Sequence, residues 1–128
     1  MNLRESFSLP YANTELWYSC LDSLKGNNQI IAQKVLQEER FIRRPSNPSL
    51  IAYHLYDTEV SYENAEIIAS SLLRSQANIR KLAIIGLSPG GKHNFKKYLI
   101  NNGKAFSVPL RFFDNFELAK EWLVQRGE

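Results

Sequence analysis

The sequence predicts an α/β domain with a mixed, mostly parallel sheet and crossover helices, in the order ββαβαβαβα. Two near-continuous apolar runs, LIAYHLY and KLAIIGL, have the composition of strands covered on both faces. Segments with apolar residues three and four apart separate them, and capping residues stand where those segments begin. At 128 residues, 44% hydrophobic and 23% charged, the chain matches one globular domain over residues 1–128.

The elements follow in chain order. Residues 2–9 (NLRESFSL) and 14–21 (TELWYSCL) read as an antiparallel strand pair joined through a turn at residues 10–13. The first helix begins at Asn27 or Asn28, either of which can cap free backbone N–H groups, and continues through QIIAQKVLQEER with Ile31 and Val35 on one face. RRPSNPS then breaks it, because each proline lacks a donor and pushes its predecessor out of the helical region. Residues 50–60 (LIAYHLYDTEV) form a central strand. Ser61 caps the next helix, residues 62–75, in which Ala65, Ile68 and Leu72 share a face. KLAIIGL is the second buried strand. The third helix starts with Ser88 as cap and Pro89 in the first helical position, aligns Phe95, Tyr98 and Leu99 on one face, and has in Gly103 a residue able to take the left-handed terminating position. VPLRFF is the last strand. Asp114 and Glu117 make a capping box with Phe113 and Leu118 as its staple, ahead of a helix that turns Ala119, Trp122 and Leu123 inward.

Composition limits the functions open to such a domain. The formal charge of +3 is mild and the two signs are interleaved, so no nucleic-acid partner is expected. A single cysteine, Cys20, excludes an internal disulfide and a multi-thiolate metal site, and His54 and His93 belong to no ligand-spaced pattern. No metal, cofactor or catalytic residue is assigned. No run of 18 apolar residues and no signal peptide is seen, which makes the cytoplasm the expected compartment and a transmembrane segment unexpected.

Several stretches invite sharper readings. From Gly86 the chain reads Gly, four residues, Gly91, Lys92, which is a phosphate-loop pattern except that His93 stands where Ser or Thr would hold magnesium. Pro89 removes a donor from the loop, and no aspartate-ended strand follows. The pattern is better explained as a capped helix start, with Lys92 leaving room for a small anion or a partner carboxylate. His54 with Asp57 and Ser88 lacks a nucleophile-elbow context and reads as a hydrogen-bonded structural histidine. Arg40, Arg43 and Arg44 beside Phe41 read as solvated surface, Lys92 and Lys96 as an exposed helix face. Trp17 and Trp122 read as core or interface anchors, and Cys20 as a small buried residue.

The strand LIAYHLYD with its capped helix, the phrase LAIIGLSPGGKHNFKKYL and the closing phrase RFFDNFELAKEWL resemble the STAS domains of bacterial anti-sigma factor antagonists and their small stand-alone relatives. The likeness runs from Leu16 to the C-terminus. It implies a STAS-like fold and a non-catalytic regulatory or protein-interaction module rather than an enzyme. The regulatory members carry an Asp-Ser motif at the start of the helix after the central strand. Here that place reads Val60, Ser61, Tyr62, Glu63, Asn64, which offers a serine without the motif, beside carboxylates that disfavour an added phosphate.

In a parallel α/β sheet the loops at the C-terminal strand ends gather along one edge, where ligands and partners usually meet the fold. Those loops are residues 57–62, 87–92 and 113–115. The expected site therefore joins Glu59, Ser61, Tyr62 and Glu63 to Ser88, Gly90, Gly91 and Lys92. The expected partner is another protein, with a small anionic or lipid ligand as the alternative at the same edge and a small enzyme as the third reading. A homodimer is compatible with all three.

Overall fold

The computed structural model describes residues 4–101 and 106–125. Five strands, β1 (Phe7–Tyr11), β2 (Thr14–Cys20), β3 (Leu50–His54), β4 (Lys81–Ile85) and β5 (Leu110–Phe113), form one sheet in the spatial order β1-β2-β3-β4-β5. The β1–β2 pair is antiparallel and the other three pairs are parallel. The helices are α1 (Asn28–Ile42), α2 (Tyr62–Ser75), α3 (Pro89–Asn101) and α4 (Phe116–Val124), with a 3-10 turn at Gln76–Asn78. This is the predicted α/β fold with its mixed, mostly parallel sheet.

Strand order never reverses, so three successive crossovers advance in one direction and place α1, α2 and α3 on one face. Trp17, Ile51, Tyr53, Leu82 and Ile84 point to that face and pack with Ile31, Val35, Ile68, Leu72 and Phe95. Leu16, Tyr18, Ala52, Ala83 and Ile85 point the other way, where α4 alone supplies Ala119, Trp122 and Leu123. The period-two alternation of β-strand side chains sorts each strand between two cores. The anchors Trp17 and Trp122 are both buried, as is Cys20.

Local signals mostly hold. Asn27 caps α1 by accepting from the Ile30 N–H at 3.1 Å. Ser61 caps α2 through the Asn64 N–H at 3.1 Å, and the Ser88 hydroxyl accepts from the Gly91 N–H at 3.1 Å where Pro89 opens α3. Three expectations are corrected. The turn between β1 and β2 is the pair Ala12–Asn13, both at positive φ (51° and 63°), while Pro10 lies within β1. Two left-handed residues match the twist of a tight hairpin, and an outer strand tolerates a residue with no N–H to donate. The central strand ends at His54 instead of reaching residue 60, because Asp57 adopts φ 58° and turns the chain. The α4 cap is Asn115, which accepts from the Leu118 N–H at 3.0 Å, so Asp114 is exposed and makes no capping box. Leu118 is 58% exposed and cannot act as a staple, and Phe113 packs on Trp122 instead. Gly103, the expected terminator of α3, lies outside the described residues, as do Asn2 and Leu3 of the expected first strand.

Two polar clusters inside the fold are absent from the sequence reading. Glu38 on α1 has no exposed surface, yet it accepts from the Ser19 hydroxyl (2.7 Å), the Trp17 indole (3.2 Å) and the Ser6 hydroxyl (2.7 Å), with the Lys34 ammonium at 3.6 Å. Lys81, at the start of β4, places its ammonium 2.9 Å from the carbonyls of Trp122 and Gln125, closing the C-terminal end of α4 with a buried cation.

Candidate functional site

The C-terminal ends of the parallel strands are built from tight turns. Ser23, Lys25 and Asp57 have φ of 62°, 55° and 58°, and Gly86 has φ 78°. A side chain at Gly86 would lie 2.9 Å from the Tyr56 Cβ and 3.0 Å from its Cα, so only glycine fits. Left-handed turns outside glycine cost of order 1 kcal/mol each and persist where the surroundings over-determine them. Here they do: the Ser23 N–H donates to the Tyr56 carbonyl (2.8 Å), the Lys25 N–H to Asp57 (3.1 Å), the Glu59 N–H to Lys25 (2.7 Å), and the Gly86 N–H to Phe113 (2.9 Å). The Thr58 hydroxyl accepts from the Leu24 N–H at 3.1 Å and donates to the Leu21 carbonyl at 2.5 Å. The edge is thus a braced backbone, with few free segments.

Between the starts of α1 and α3 this edge opens into a shallow cleft of about 380 Å³ lined by Lys25, Gly26, Asp57, Thr58, Glu59, Gly86 and Ser88. Strand order does not reverse anywhere in the sheet, so the deep crevice of a topological switch point is not formed. The Lys25 ammonium pairs with the Asp57 carboxylate at 2.5 Å, and Glu59 overhangs Gly26. Two carboxylates against one paired cation oppose the positive ends of the helix dipoles.

Of the eight expected residues, Glu59 and Ser88 line the cleft together. Ser61 and Ser88 spend their hydroxyls on helix caps. Tyr62 is 42% exposed and meets the Tyr98 ring edge-on at 6.2 Å, while Glu63 is an exposed first-turn carboxylate of α2. Gly91 is buried against Leu87, where a side chain would come within 2.9 Å, and Gly90 borders open space. Lys92 leans over the Phe112 ring at 5.9 Å and is not among the cleft's lining residues. The helix start therefore explains the glycine-rich stretch: the Ser88 hydroxyl caps α3 by accepting from the Gly91 N–H, and its lysine leans over Phe112 of β5.

Sequence reasoning missed Lys25, Asp57 and Thr58 as a unit, and it missed Tyr56. Tyr56 is 64% exposed, with its ring stacked near His54 at 6.4 Å. Asp22, not Asp57, faces His54: Asp22 Oδ1 and His54 Nδ1 lie 3.6 Å apart, too far for the hydrogen bond expected of this histidine, and Arg4 holds the other carboxylate oxygen at 2.8 Å. Burial pushes the His54 imidazole below its ordinary value, against the opposing pull of Asp22. The Cys20 thiol, buried on the same face, is pushed up to about 11, so it is not a thiolate nucleophile at neutral pH. Asp22 carried no motif and stands 32 residues before His54; only the parallel register Cys20↔His54 brings them together.

No family model matches the chain, no curated protein matches it, and no solved structure does. Among the described residues, no group of three or more His, Cys, Asp or Glu side chains is placed to hold a metal ion, and no helix is long and apolar enough to cross a membrane.

Proposed function

We propose that the chain is a non-catalytic protein-interaction module of STAS-like type, with a regulatory role, that engages another protein through the C-terminal edge of its sheet. The observation that carries this reading is the pair Tyr56 and Tyr62, exposed by 64% and 42%, on either side of the cleft-lining run Asp57, Thr58, Glu59. Aromatic residues are enriched in the buried centres of interfaces because they bring large area at small entropic cost. Tyr56 is presented by a backbone pinned against Gly86, and Tyr62 by the first turn of α2. Lys25, Asp57 and Glu59 line the cleft between them, and Glu63 follows Tyr62 in the first turn of α2, which gives a mixed-charge rim. The small-anion alternative at this edge is disfavoured by the two carboxylates in the cleft. The test uses the full chain as bait in extracts of the cells that encode it, with Tyr56→Ala, Tyr62→Ala and, as a control on an exposed apolar residue elsewhere, Leu36→Ala. The expected result is a partner recovered by wild type and Leu36→Ala and reduced at least tenfold in both tyrosine variants, at unchanged melting temperature. Undiminished recovery in both tyrosine variants overturns the reading.

A further inference from the structure

The opposite edge of the sheet carries a second cleft, independent of the reading above, and its chemistry is inverted. The loops that enter β3 and β4, residues 43–49 and 76–80, form an open cleft of about 380 Å³ lined among others by Arg44, Asn47, Ser49, Asn78 and Arg80. No carboxylate lines it. That volume falls at the lower end of the roughly 300–1,000 Å³ typical of small-ligand sites. Its walls are fixed by backbone bonds within and between the two loops: the Asn47 N–H donates to the Arg44 carbonyl (3.0 Å), the Arg80 N–H to Ser49 (2.8 Å), and the Ile79 N–H to Gln76 (3.1 Å). The Asn47 side-chain amide donates to the Pro48 carbonyl at 3.1 Å, which leaves one amide hydrogen to spare.

The charge balance at this edge singles out two guanidinium groups. Glu39, the carboxylate that α1 presents near its last turn, is consumed by Arg74 in a two-point contact (2.8 and 3.1 Å), by Arg43 at 3.3 Å and by the Ser71 hydroxyl at 2.9 Å. These donors hold its carboxyl below its ordinary value, Arg74 first among them. Arg44 and Arg80 have no such partner: neither makes an ion pair among the described residues. Arg44 is also positioned in advance, its guanidinium lying 4.7 Å over the Phe41 ring. One ordinary role for cations here is to complement the C-terminal ends of α1 and α2, but Arg40 and Arg74 already occupy those last turns.

We infer that this cleft binds a small phosphate monoester, with Arg44 and Arg80 gripping the dianion and the Asn47, Ser49 and Asn78 side chains supplying neutral donors. The planar donor fork of a guanidinium can meet two oxygens of a tetrahedral phosphate at once, and charge-assisted bonds of this kind are about twice as strong as neutral ones. A phosphate monoester is shared by soluble metabolites and by lipid headgroups, and the narrow volume with its polar walls favours the soluble source.

The test is a titration of the full chain, at constant ionic strength, with inorganic phosphate and then phenyl phosphate, followed by backbone amide chemical shifts. Shifts confined to residues 43–49 and 76–80, saturating with phosphate or its ester and absent with chloride, are expected. Arg44→Gln and Arg80→Gln should each weaken binding about tenfold, about 1.4 kcal/mol, whereas Arg111→Gln on β5 should leave it unchanged. Vesicles containing phosphatidic acid distinguish the lipid source: no binding to them is expected, and tight vesicle binding with no response to the soluble ester overturns the assignment. So do shifts spread evenly over all basic residues, or equal affinity in the wild type and both cleft variants.

Discussion

Replacing Glu38 with Leu tests whether a buried carboxylate organises the α1 side of the sheet. The side chain has no exposed surface, and four groups depend on it: the Ser19 and Ser6 hydroxyls, the Trp17 indole and the Lys34 ammonium, itself 4% exposed. Removing one partner of a buried ion pair costs about 3–5 kcal/mol, because the other charge is left unpaired. A further 1–3 kcal/mol comes from each buried donor left without an acceptor. Part of that is offset because the carboxylate no longer has to be desolvated, so about 4–5 kcal/mol is expected for Glu38→Leu. That is a large fraction of the roughly 5–15 kcal/mol total stability of a domain. Lys34→Met should cost only about 1–2 kcal/mol, since the carboxylate keeps three hydrogen bonds. In the double variant the orphaned ammonium is gone, so it should be more stable than Glu38→Leu alone by about 2 kcal/mol, a non-additive result typical of directly coupled residues. Urea unfolding, followed by far-ultraviolet circular dichroism and by tryptophan fluorescence, measures all three. If the effects of the two replacements simply add to within about 0.5 kcal/mol, the two residues are independent and the network account is wrong.

Three other outcomes follow from the same structure. Lys81→Met should destabilise by about 2–3 kcal/mol through loss of the two bonds to the α4 carbonyls, lowering the melting temperature by roughly 8–12 °C; a shift under about 2 °C would mean that water replaces the ammonium. Gly86→Ala should cost about 2–4 kcal/mol in chemical unfolding, from the left-handed backbone and the clash with Tyr56 together, and a neutral result would contradict the close approach. Burial lowers the folded-state pKa of His54, so the unfolded chain binds the extra proton first. Stability should be full above about pH 6.5 and fall as the pH drops below it. Arg4, which also disfavours the imidazolium, and Asp22, which favours it, face this ring, with the Tyr18 and Tyr56 rings beside it. His54→Phe should flatten the fall in unfolding free energy below about pH 6.5, and an unchanged slope would exclude this histidine as its source.

The fold was readable wherever one residue type has one physical job. Proline at the first helical position, serine and asparagine at caps, and the apolar runs of β3 and β4 placed most elements to within a residue or two. Failures came where several residues could do the same job. Asp114 and Asn115 both qualify as the α4 cap by residue type, and the structure uses the second, with Phe113 packed on Trp122. The over-long central strand hid a left-handed Asp57, which strand propensity does not report. Glu38 left a detectable signal: it stands seven residues after Ile31 and four before Ile42, on the buried stripe of α1, where a charged residue demands a partner. The chain order brings the loops after β3 and β4 to one edge, where Glu59 and Ser88 meet, but Lys25, Tyr56 and Asp22 reach it only through strand register and turn geometry. No short-range pattern encodes those.

The two faces of the sheet are covered unequally, and this sets an order of opening. On one side α2 packs against both α1 and α3, so those helices brace one another as well as the strands. On the other, nine-residue α4 stands alone against β3, β4 and β5, held by Ala119, Trp122 and Leu123 and by the Lys81 clasp. Its amides should therefore exchange hydrogen with solvent through a partial opening well below the free energy of global unfolding, while those of β3 and β4 wait for the whole domain. Each such opening bares Leu16, Ala52, Ala83 and Ile85, an apolar strip across the centre of the sheet. The population of that open form, rather than the melting temperature, would then govern how readily the protein is cut by proteases or sticks to itself.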